Sequence, residues 1–295
     1  MNLSLSRSFP IAKAALAAAV IACTFALACS WTGCASGGTD SSSADADNTS
    51  ASTDGKTLRV AMELAYPPFE TKDDAGNPEG LAVDFIRDFG AAYGYDVQIE
   101  NTAWDGLIPS LQSDKADLVI SSMTITDERK QSVDFSDAYA MAQLAILANA
   151  NSGVASIDDL NQPGKKVAVK TGSTGDVYAT KNLTNAEIVR LADESACVTE
   201  VVQGKADGFL YDQLTIYRNH QANPDTTEAV FIPFQDAEEW GIAVKKGNTE
   251  LLDQLNAFIA QSKTDGEFDR LTEKYLADEK KAFDQYGFKW FFDFE

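Results

Sequence analysis

The amino-acid sequence predicts two α/β lobes, each built on a sheet with helical crossovers. The chain has 295 residues, which is enough for one large or two modest domains. Segments typical of buried strands alternate with helical patterns of about 8–14 residues, as they do in parallel sheets. The alternation starts again near residue 166, so we expect two lobes of roughly 100 residues each.

The first series of elements follows a polar N-terminal segment. The amphipathic pattern of its first helix ends at Gly94, a residue typical of helix C-termini. In chain order we predict strand 58–62, helix 83–93, strand 97–100, a short helix 104–112, and strands 118–120, 133–135 and 144–148.

The second series repeats the rhythm and indicates where a site should lie. In open α/β sheets ligands bind beyond the C-terminal ends of strands, which directs attention to the loops that follow them. We predict strand 166–169, helix 174–181, strand 188–190, helix 194–203, strand 208–211, helix 212–219, strand 240–244, and helices 250–263 and 267–275.

Residues 1–33 have the pattern of a signal peptide. Two basic residues precede an apolar run at 14–28, whose 15 residues are too few for a membrane helix of about 20. Three cysteines follow lipobox-like segments, and we predict lipidation of Cys34, because cleavage there leaves only polar sequence beside the anchor. Cys29 and Cys23 are the alternatives for the anchor, and ordinary cleavage with release is the alternative to lipidation.

Residues 34–56 are mostly Ser, Thr, Asp, Gly and Ala, a composition that cannot bury enough apolar surface to fold. We expect them to form a lipid-anchored flexible linker. The protein would then be exported and held by its N-terminal lipid at the outer face of the cytoplasmic membrane, at the cell surface or in the periplasm.

The composition narrows the function classes. The chain carries 45 acidic and 24 basic residues, a net charge of −21, which argues against nucleic acid or an anionic lipid surface as a partner. One histidine and four cysteines exclude most catalytic-histidine and His-rich metal schemes. We therefore predict no metal site and no cofactor, and we expect a monomer.

Five ordered blocks resemble the bacterial extracellular solute-binding proteins of family 3, the polar amino acid receptors of ABC transporters. The resemblance covers roughly residues 58–276. The blocks are LRVAMELAYPPFE, WDGLIPSLQSDKADLVISSMTITDERKQSVDFS, KKVAVKTGSTGDVYA, GKADGFLYD and WGIAVKKGN.

This resemblance implies a two-lobe periplasmic-binding-protein-like fold with an amino acid in the cleft between the lobes. The lobes would be joined by two hinge strands near residues 141–144 and 237–241 and would close on the ligand. Lobe 1 is then 57–142 plus 239–295, and lobe 2 is 143–238. It also implies two partners, the membrane permease and the ATPase of an ABC importer.

The resemblance assigns a carboxylate clamp to the loop that ends at Arg129. The planar guanidinium can grip a carboxylate with two parallel bonds, although a surface ion pair with Asp127 or Asp134 is the alternative. Across the cleft, the N–H group of Thr174 would donate to the same carboxylate. Further ligand contacts are expected from Ser122 and Thr124, and from Ser121, whose side chain could instead close a turn.

The resemblance implies that the remaining predicted site residues face the ammonium group and the side chain of the ligand. Asp212 follows a strand and would pair with the ammonium group, although it could also cap the next helix. Tyr66 and Trp104 would sandwich the ligand side chain, with core packing as the alternative for Trp104. Phe69 fits core packing better than ligand contact.

Glu63 and Lys170 bear on specificity. Together they fit a neutral polar side chain with one donor and one acceptor, so a glutamine-like ligand is favoured and a basic amino acid comes next. The two residues could instead pair with each other and leave an apolar slot. A dehydratase-like enzyme and a sensory module are the alternative functions, but we predict no catalytic residues and no enzyme activity.

The C-terminal tail, residues 281–295, is rich in aromatic side chains. These side chains are expected to pack back on lobe 1, and a protein contact surface is the alternative. Cys197 and His220 are expected to be structural or incidental.

Overall fold

The computed structural model describes residues 56–286 and 289–294. The predicted signal peptide, the linker up to residue 55 and the candidate lipidation sites Cys34, Cys29 and Cys23 lie outside the described residues. Among the described residues, no helix combines the length and the apolar character needed to cross a bilayer.

The first half of the chain supplies most of one sheet and the strand that leads out of it. A 3-10 turn at Trp104–Gly106 precedes the second helix. The elements are β1 (Lys56–Met62), β2 (Thr71–Lys72), β3 (Pro78–Glu79), α1 (Leu81–Tyr93), β4 (Tyr95–Asn101), α2 (Leu107–Gln112), β5 (Leu118–Val119), α3 (Asp127–Lys130), β6 (Val133–Phe135), β7 (Ala140–Ala142) and β8 (Leu144–Asn149).

The second half supplies the rest of a second sheet and then returns to the first. Its elements are α4 (Ile157–Leu160), β9 (Lys166–Lys170), α5 (Thr174–Asn182), β10 (Glu187–Leu191), α6 (Glu194–Val202), β11 (Gly208–Asp212), α7 (Gln213–Ala222), β12 (Thr227–Val230), β13 (Glu238–Trp240), β14 (Ala243–Lys245), α8 (Thr249–Ser262), α9 (Glu267–Tyr275) and α10 (Ala277–Tyr286).

Two five-stranded sheets confirm the predicted two-lobe α/β fold, but they are mixed rather than parallel. Their strand orders are β4-β1-β5-β14-β6 and β10-β9-β11-β8-β12. In the first sheet β14 is antiparallel to both neighbours, and in the second β8 is antiparallel to both neighbours. Strand β8 follows the crossover strand β7, and β14 follows the crossover strand β13. In each sheet, the strand that runs against its neighbours is therefore the one that enters from the other sheet.

The two crossovers pair with each other. Strand β7 is antiparallel to β13, with Ala140 opposite Trp240 and Ala142 opposite Glu238. The predicted single strand 240–244 is therefore wrong, because it is divided into β13 and β14 at Gly241. A Cβ atom on Gly241 would lie 2.8 Å from the side chain of Ile125, so a larger residue would require that side chain to move. The predicted lobe boundaries, 57–142 plus 239–295 and 143–238, fall on this ribbon and stay a prediction.

The largest core lies around the first sheet and includes the C-terminal tail. Helix α1 buries Phe85 and Phe89 in it, and the tail adds Phe283, Trp290 and Phe291, each at most 4% exposed. Phe292 and Phe294 pack against the same core. The prediction that the tail packs on the first lobe is confirmed for these residues, and Phe288 lies outside the described part of the chain.

Candidate ligand-binding site

A cavity between the two sheets gathers almost all the predicted site residues. Nine of the ten line it, and Lys170 borders it through its contact with Glu63. Its volume is about 40 Å³, far below the roughly 300–1,000 Å³ of most small-molecule sites. The lining residues are Glu63, Tyr66, Glu70, Trp104, Ser121, Ser122, Thr124, Arg129, Leu144, Ser173, Thr174, Tyr211, Asp212, Glu238 and Trp240.

The topology explains why residues so far apart in sequence meet. Glu63 directly follows β1, and Ser121 to Thr124 follow β5 in the same sheet. In the second sheet Lys170 ends β9, and Asp212 ends β11. The strands β1 and β5 are parallel, as are β9 and β11, so their C-terminal ends share one edge of each sheet.

Arg129 is held by backbone carbonyl groups from both sheets. Its guanidinium donates to Thr124 O at 2.7 Å and to Gly172 O at 3.2 Å, and it stacks 5.2 Å from the ring centre of Trp104. Among the described residues, no carboxylate forms an ion pair with it. Burial lowers the pKa of Arg129, and the charge of Glu238 opposes this shift.

The predicted alternative partners of Arg129 pair elsewhere. Asp127 lies 3.9 Å from the ammonium group of Lys130, and Asp134 lies 3.8 Å from that of Lys246. The surface ion-pair interpretation of Arg129 is therefore wrong. A guanidinium that faces carbonyls and an aromatic ring keeps its charge free to attract an anion.

Beside Arg129, two hydroxyl groups converge on one carboxylate oxygen. Thr124 Oγ1 donates to Glu238 Oε2 at 2.9 Å, and Thr174 Oγ1 donates to the same atom at 2.7 Å. Ser173 caps helix α5 by accepting from the N–H group of Asp176 at 3.2 Å. Glu238 was not among the predicted site residues.

Asp212 caps a helix and also lines the cavity. Its Oδ1 accepts from the N–H groups of Leu214 at 2.9 Å and Thr215 at 3.2 Å, which caps α7. The same atom accepts from the hydroxyl of Tyr66 at 2.6 Å, and the side chain lines the cavity. Burial raises the pKa of Asp212, and the hydrogen bond from Tyr66 opposes the shift.

The serine pair of the first lobe supports the loops around the cavity. Ser121 Oγ accepts from the N–H group of Glu63 at 3.0 Å, so its side chain ties two strand-following loops together. Ser122 adopts a left-handed backbone conformation with φ 47°, and its hydroxyl donates to Glu70 at 3.1 Å. Burial raises the pKa of Glu70 well above its usual value, and the hydrogen bond from Ser122 opposes the shift.

At the opposite end of the cavity, Glu63 and Lys170 form an ion pair. The Lys170 side chain is buried, and its ammonium group lies 5.1 Å from the ring centre of Trp104. The predicted alternative, in which these two residues pair with each other, is confirmed. Trp104 is half-buried, and two cations, Lys170 and Arg129, lie 5.1 and 5.2 Å from its ring centre.

A second, larger cavity of about 450 Å³ lies beyond this ion pair. Burial raises the pKa of one of its lining residues, Glu194, to about 8. The cavity is lined by Glu63, Ala65, Pro67, Lys170, Asp193, Glu194, Ser195, Thr215, Arg218 and Asn219.

Residues 58–278 match the family model described as bacterial extracellular solute-binding proteins, family 3. The chain belongs to this family. A "probable histidine-binding protein" of Neisseria gonorrhoeae is 36% identical over 228 residues, which cover 76% of this chain and 85% of that one.

Solved structures of the family show the same fold. An ancestral arginine-binding protein bound to glutamine has a TM-score of 0.69 and 37% identity, and the match covers 75% of this chain and 98% of that one. The ancestral amino acid-binding protein AncCDT-1, a precursor of cyclohexadienyl dehydratase, has a TM-score of 0.68 and 38% identity, over 74% of this chain and 94% of that one.

Several cavity residues of this family member were missed from the sequence. Tyr211 and Trp240 lie in predicted strands, and only the position of Tyr211 beside Asp212 hinted at the site. Glu70 directly follows the Pro-Pro-Phe segment of a loop already assigned to the site, which is the one signal for it. For Glu238 and Glu194 we find no such signal, because acidic residues outside a periodic pattern are by default solvent-exposed.

Proposed function

We propose that this protein is the extracytoplasmic receptor of an ABC importer and binds a polar amino acid in the cavity between its sheets. One observation carries the proposal: a guanidinium, two hydroxyls and a buried carboxylate from both lobes converge on a single cavity. Such a set complements a zwitterion, because it offers both an anion clamp and an ammonium acceptor. The curated and solved relatives described above are named as amino acid-binding proteins, which supports this proposal.

The carboxylate of the ligand would bind beside Arg129. This guanidinium is already held by Thr124 O and Gly172 O, and it lines the cavity. The hydroxyls of Thr124 and Thr174 and the N–H group of Thr174 would complete the clamp. Because α5 begins at Thr174, its first N–H groups also favour an anion there.

The ammonium group of the ligand would bind Asp212. The Oδ1 atom of this residue is held by the α7 cap and by Tyr66, so the carboxylate is oriented before the ligand arrives. A positive charge nearby would also lower the pKa that burial raises.

For the side chain we propose a neutral polar group, with glutamine favoured. The ion pair of Glu63 and Lys170 offers one acceptor and one donor at the same place, which matches a carboxamide. Arginine or lysine is the second candidate, and the similarity to an arginine-binding protein favours it. The second cavity beyond the ion pair gives room for a longer side chain if the pair separates.

Binding would be accompanied by closure of the two lobes about the β7–β13 ribbon. Because the cavity holds only about 40 Å³, the lobes must open or its side chains must move for an amino acid to enter. Scattering should show a smaller radius of gyration with ligand than without. An unchanged profile at saturation would argue against hinge motion.

We further propose that the receptor acts as a monomer, delivers its ligand to a permease–ATPase complex, and does not transform it. Its N-terminus would carry a lipid on Cys34, after removal of residues 1–33. The mass of protein extracted from membranes should reveal an acylated cysteine. A mature chain recovered soluble and without acylation would contradict the anchor.

The decisive experiment is a thermal-stability screen of the folded receptor against the twenty amino acids, followed by calorimetry. A ligand at about 100 times its Kd stabilises the folded state by about 2.7 kcal/mol. We expect the largest shift with glutamine. No shift with any amino acid would overturn the proposal, and conversion of the bound amino acid during incubation would favour an enzyme.

A further inference from the structure

Glu238 stands at a position where its carboxylate meets both lobes. It lies on the crossover strand β13, and its Oε2 atom accepts from Thr124 Oγ1 and Thr174 Oγ1 at 2.9 and 2.7 Å. The other oxygen, Oε1, accepts from Gln235 Nε2 at 2.7 Å. This half-buried carboxylate therefore accepts three hydrogen bonds from side chains.

The backbone keeps β13 in this place. Ile125 N donates to Glu239 O at 2.7 Å, and Gly241 N donates to Met123 O at 3.0 Å. Thr124 itself forms a β-bridge with Trp240. The strand that carries Glu238 is thus fixed against the loop that also carries the candidate carboxylate clamp.

Glu238 makes the contacts expected of a ligand carboxylate. Its two hydroxyl donors come from opposite sheets, because Thr124 follows β5 and Thr174 begins α5. It lines the same cavity as Arg129, and its charge acts on that guanidinium. Two carboxylates cannot share these hydroxyls and this small space without strong repulsion.

We propose that the Glu238 side chain competes with the carboxylate of the ligand for the hydroxyls of Thr124 and Thr174. In this proposal Glu238 bridges the lobes through these two residues and must leave them before the ligand can bind. The inference rests on the proposed function. A ligand carboxylate would then bind only the fraction of molecules in which Glu238 has left the two hydroxyls, so the apparent Kd of ligands that carry a carboxylate is raised by the reciprocal of that fraction. The same competition would help to expel the ligand during delivery.

The test uses Glu238→Gln, which keeps the shape but not the charge, and Glu238→Ala, which removes the bridge. Glu239→Gln is the matched control, since it removes the same charge from an exposed neighbour on the same strand. Calorimetry and stopped-flow would use L-glutamine and L-arginine, with L-glutaminamide and L-argininamide as probes that lack the carboxylate.

We expect Glu238→Ala to bind the amino acids about tenfold tighter and to associate faster, with a smaller gain for Glu238→Gln and none for Glu239→Gln. The gain should be equal for every amino acid and should vanish for the amides.

Unchanged or weaker binding by both Glu238 variants, with wild-type melting behaviour, would overturn the competitor role while leaving the amino acid receptor intact. An equal gain for the amides would also overturn it, because the effect would not depend on the carboxylate. Failure of the wild type and all variants to bind any amino acid would overturn both proposals.

Discussion

The two ends of the cavity are held in different ways. At the Arg129 end, the functional groups are fixed by backbone: carbonyl groups orient the guanidinium, and the caps of α5 and α7 orient Thr174 and Asp212. At the Lys170 end, two long side chains, Lys170 and Glu63, are held mainly by each other. The Arg129 end is therefore fixed once the backbone has folded, whereas the Lys170 end can change by rotation about side-chain bonds. We therefore expect affinity for any amino acid to depend on the Arg129 end, and choice among amino acids to depend on the Lys170 end.

The largest expected effect tests the Arg129 end. Arg129→Ala should weaken all ligands together by about 3–5 kcal/mol, because the carboxylate of the ligand would be buried without its partner. This corresponds to roughly a 100- to 3,000-fold rise in Kd, measured by calorimetry, with the ranking of ligands unchanged.

Arg129→Lys is the companion variant for this prediction. It should also bind poorly, because the ammonium group of lysine lacks the planar set of donors with which Arg129 bonds Thr124 O and Gly172 O and would bond the ligand. A change of ligand preference without loss of affinity in Arg129→Ala would contradict the assignment of the carboxylate clamp.

A smaller loss is expected at the ammonium end. Asp212→Asn keeps a good N-cap for α7 but loses the charge, so it should bind every amino acid about 10- to 100-fold more weakly, with little change in melting temperature. Thermal melts and calorimetry together separate the two roles. A fall in stability with unchanged Kd would mean that Asp212 only caps the helix.

At the Lys170 end, substitutions should change the order of ligands rather than their common affinity. Lys170→Leu should weaken glutamine about tenfold and strengthen arginine and lysine, because it frees Glu63 and removes a like charge. Glu63→Gln should weaken the cationic ligands instead. Competition calorimetry measures the ranking of ligands. Equal effects of these substitutions on glutamine and lysine would contradict the idea that the Lys170 end sets the choice among amino acids.

Substitution of Glu194, in the second cavity, should have the smallest effect on ligand binding. It should have a clear effect on the free energy of unfolding. The folded pKa, about 8, lies above the usual 4.5, so the folded state holds a proton that the unfolded chain releases. The free energy of unfolding should therefore fall as pH rises from about 4.5 to about 8. Glu194→Gln should remove part of this fall and stabilise the protein at pH 8 by about 1–3 kcal/mol, but not at pH 4.

Thermal melts at pH 4 and pH 8 would check this, with Glu228→Gln as a control on an exposed position of β12. The same gain at both pH values would show that the variant acts through packing rather than through the titration of Glu194. A change in the ranking of ligands would show that Glu194 acts with the Lys170 end of the cavity in the choice among ligands.

The sequence predicted the features that depend on neighbouring residues, such as the positions of most strands and helices and of the loops that follow the strands. Strand ends pointed to the loops that hold Arg129, Thr124 and Asp212, because the C-terminal ends of parallel strands meet at one edge. The family resemblance then assigned roles to these residues. Strand direction is not encoded in hydrophobic periodicity, so the antiparallel β8 and β14 were not predicted. The pairing of Glu63 with Lys170 stayed open, because it depends on side-chain conformation across 107 positions of sequence.

The C-terminal tail contacts the hinge region itself, not only the core. Met141 N, on β7, donates to Phe291 O at 2.7 Å, and the ring of Phe291 packs 5.1 Å from Phe69 and 5.5 Å from Trp240. A shortened chain that ended at residue 278, where the family match stops, would leave one edge of β7 without this bond and uncover the aromatic surface beside it. Exposed strand edges next to apolar surface promote pairing between chains. For engineering, this makes the predicted linker that follows Cys34 a safer place for an affinity tag or a fluorescent reporter than the C-terminus. A bulky fusion close behind Phe291 would disturb the segment about which the lobes would move.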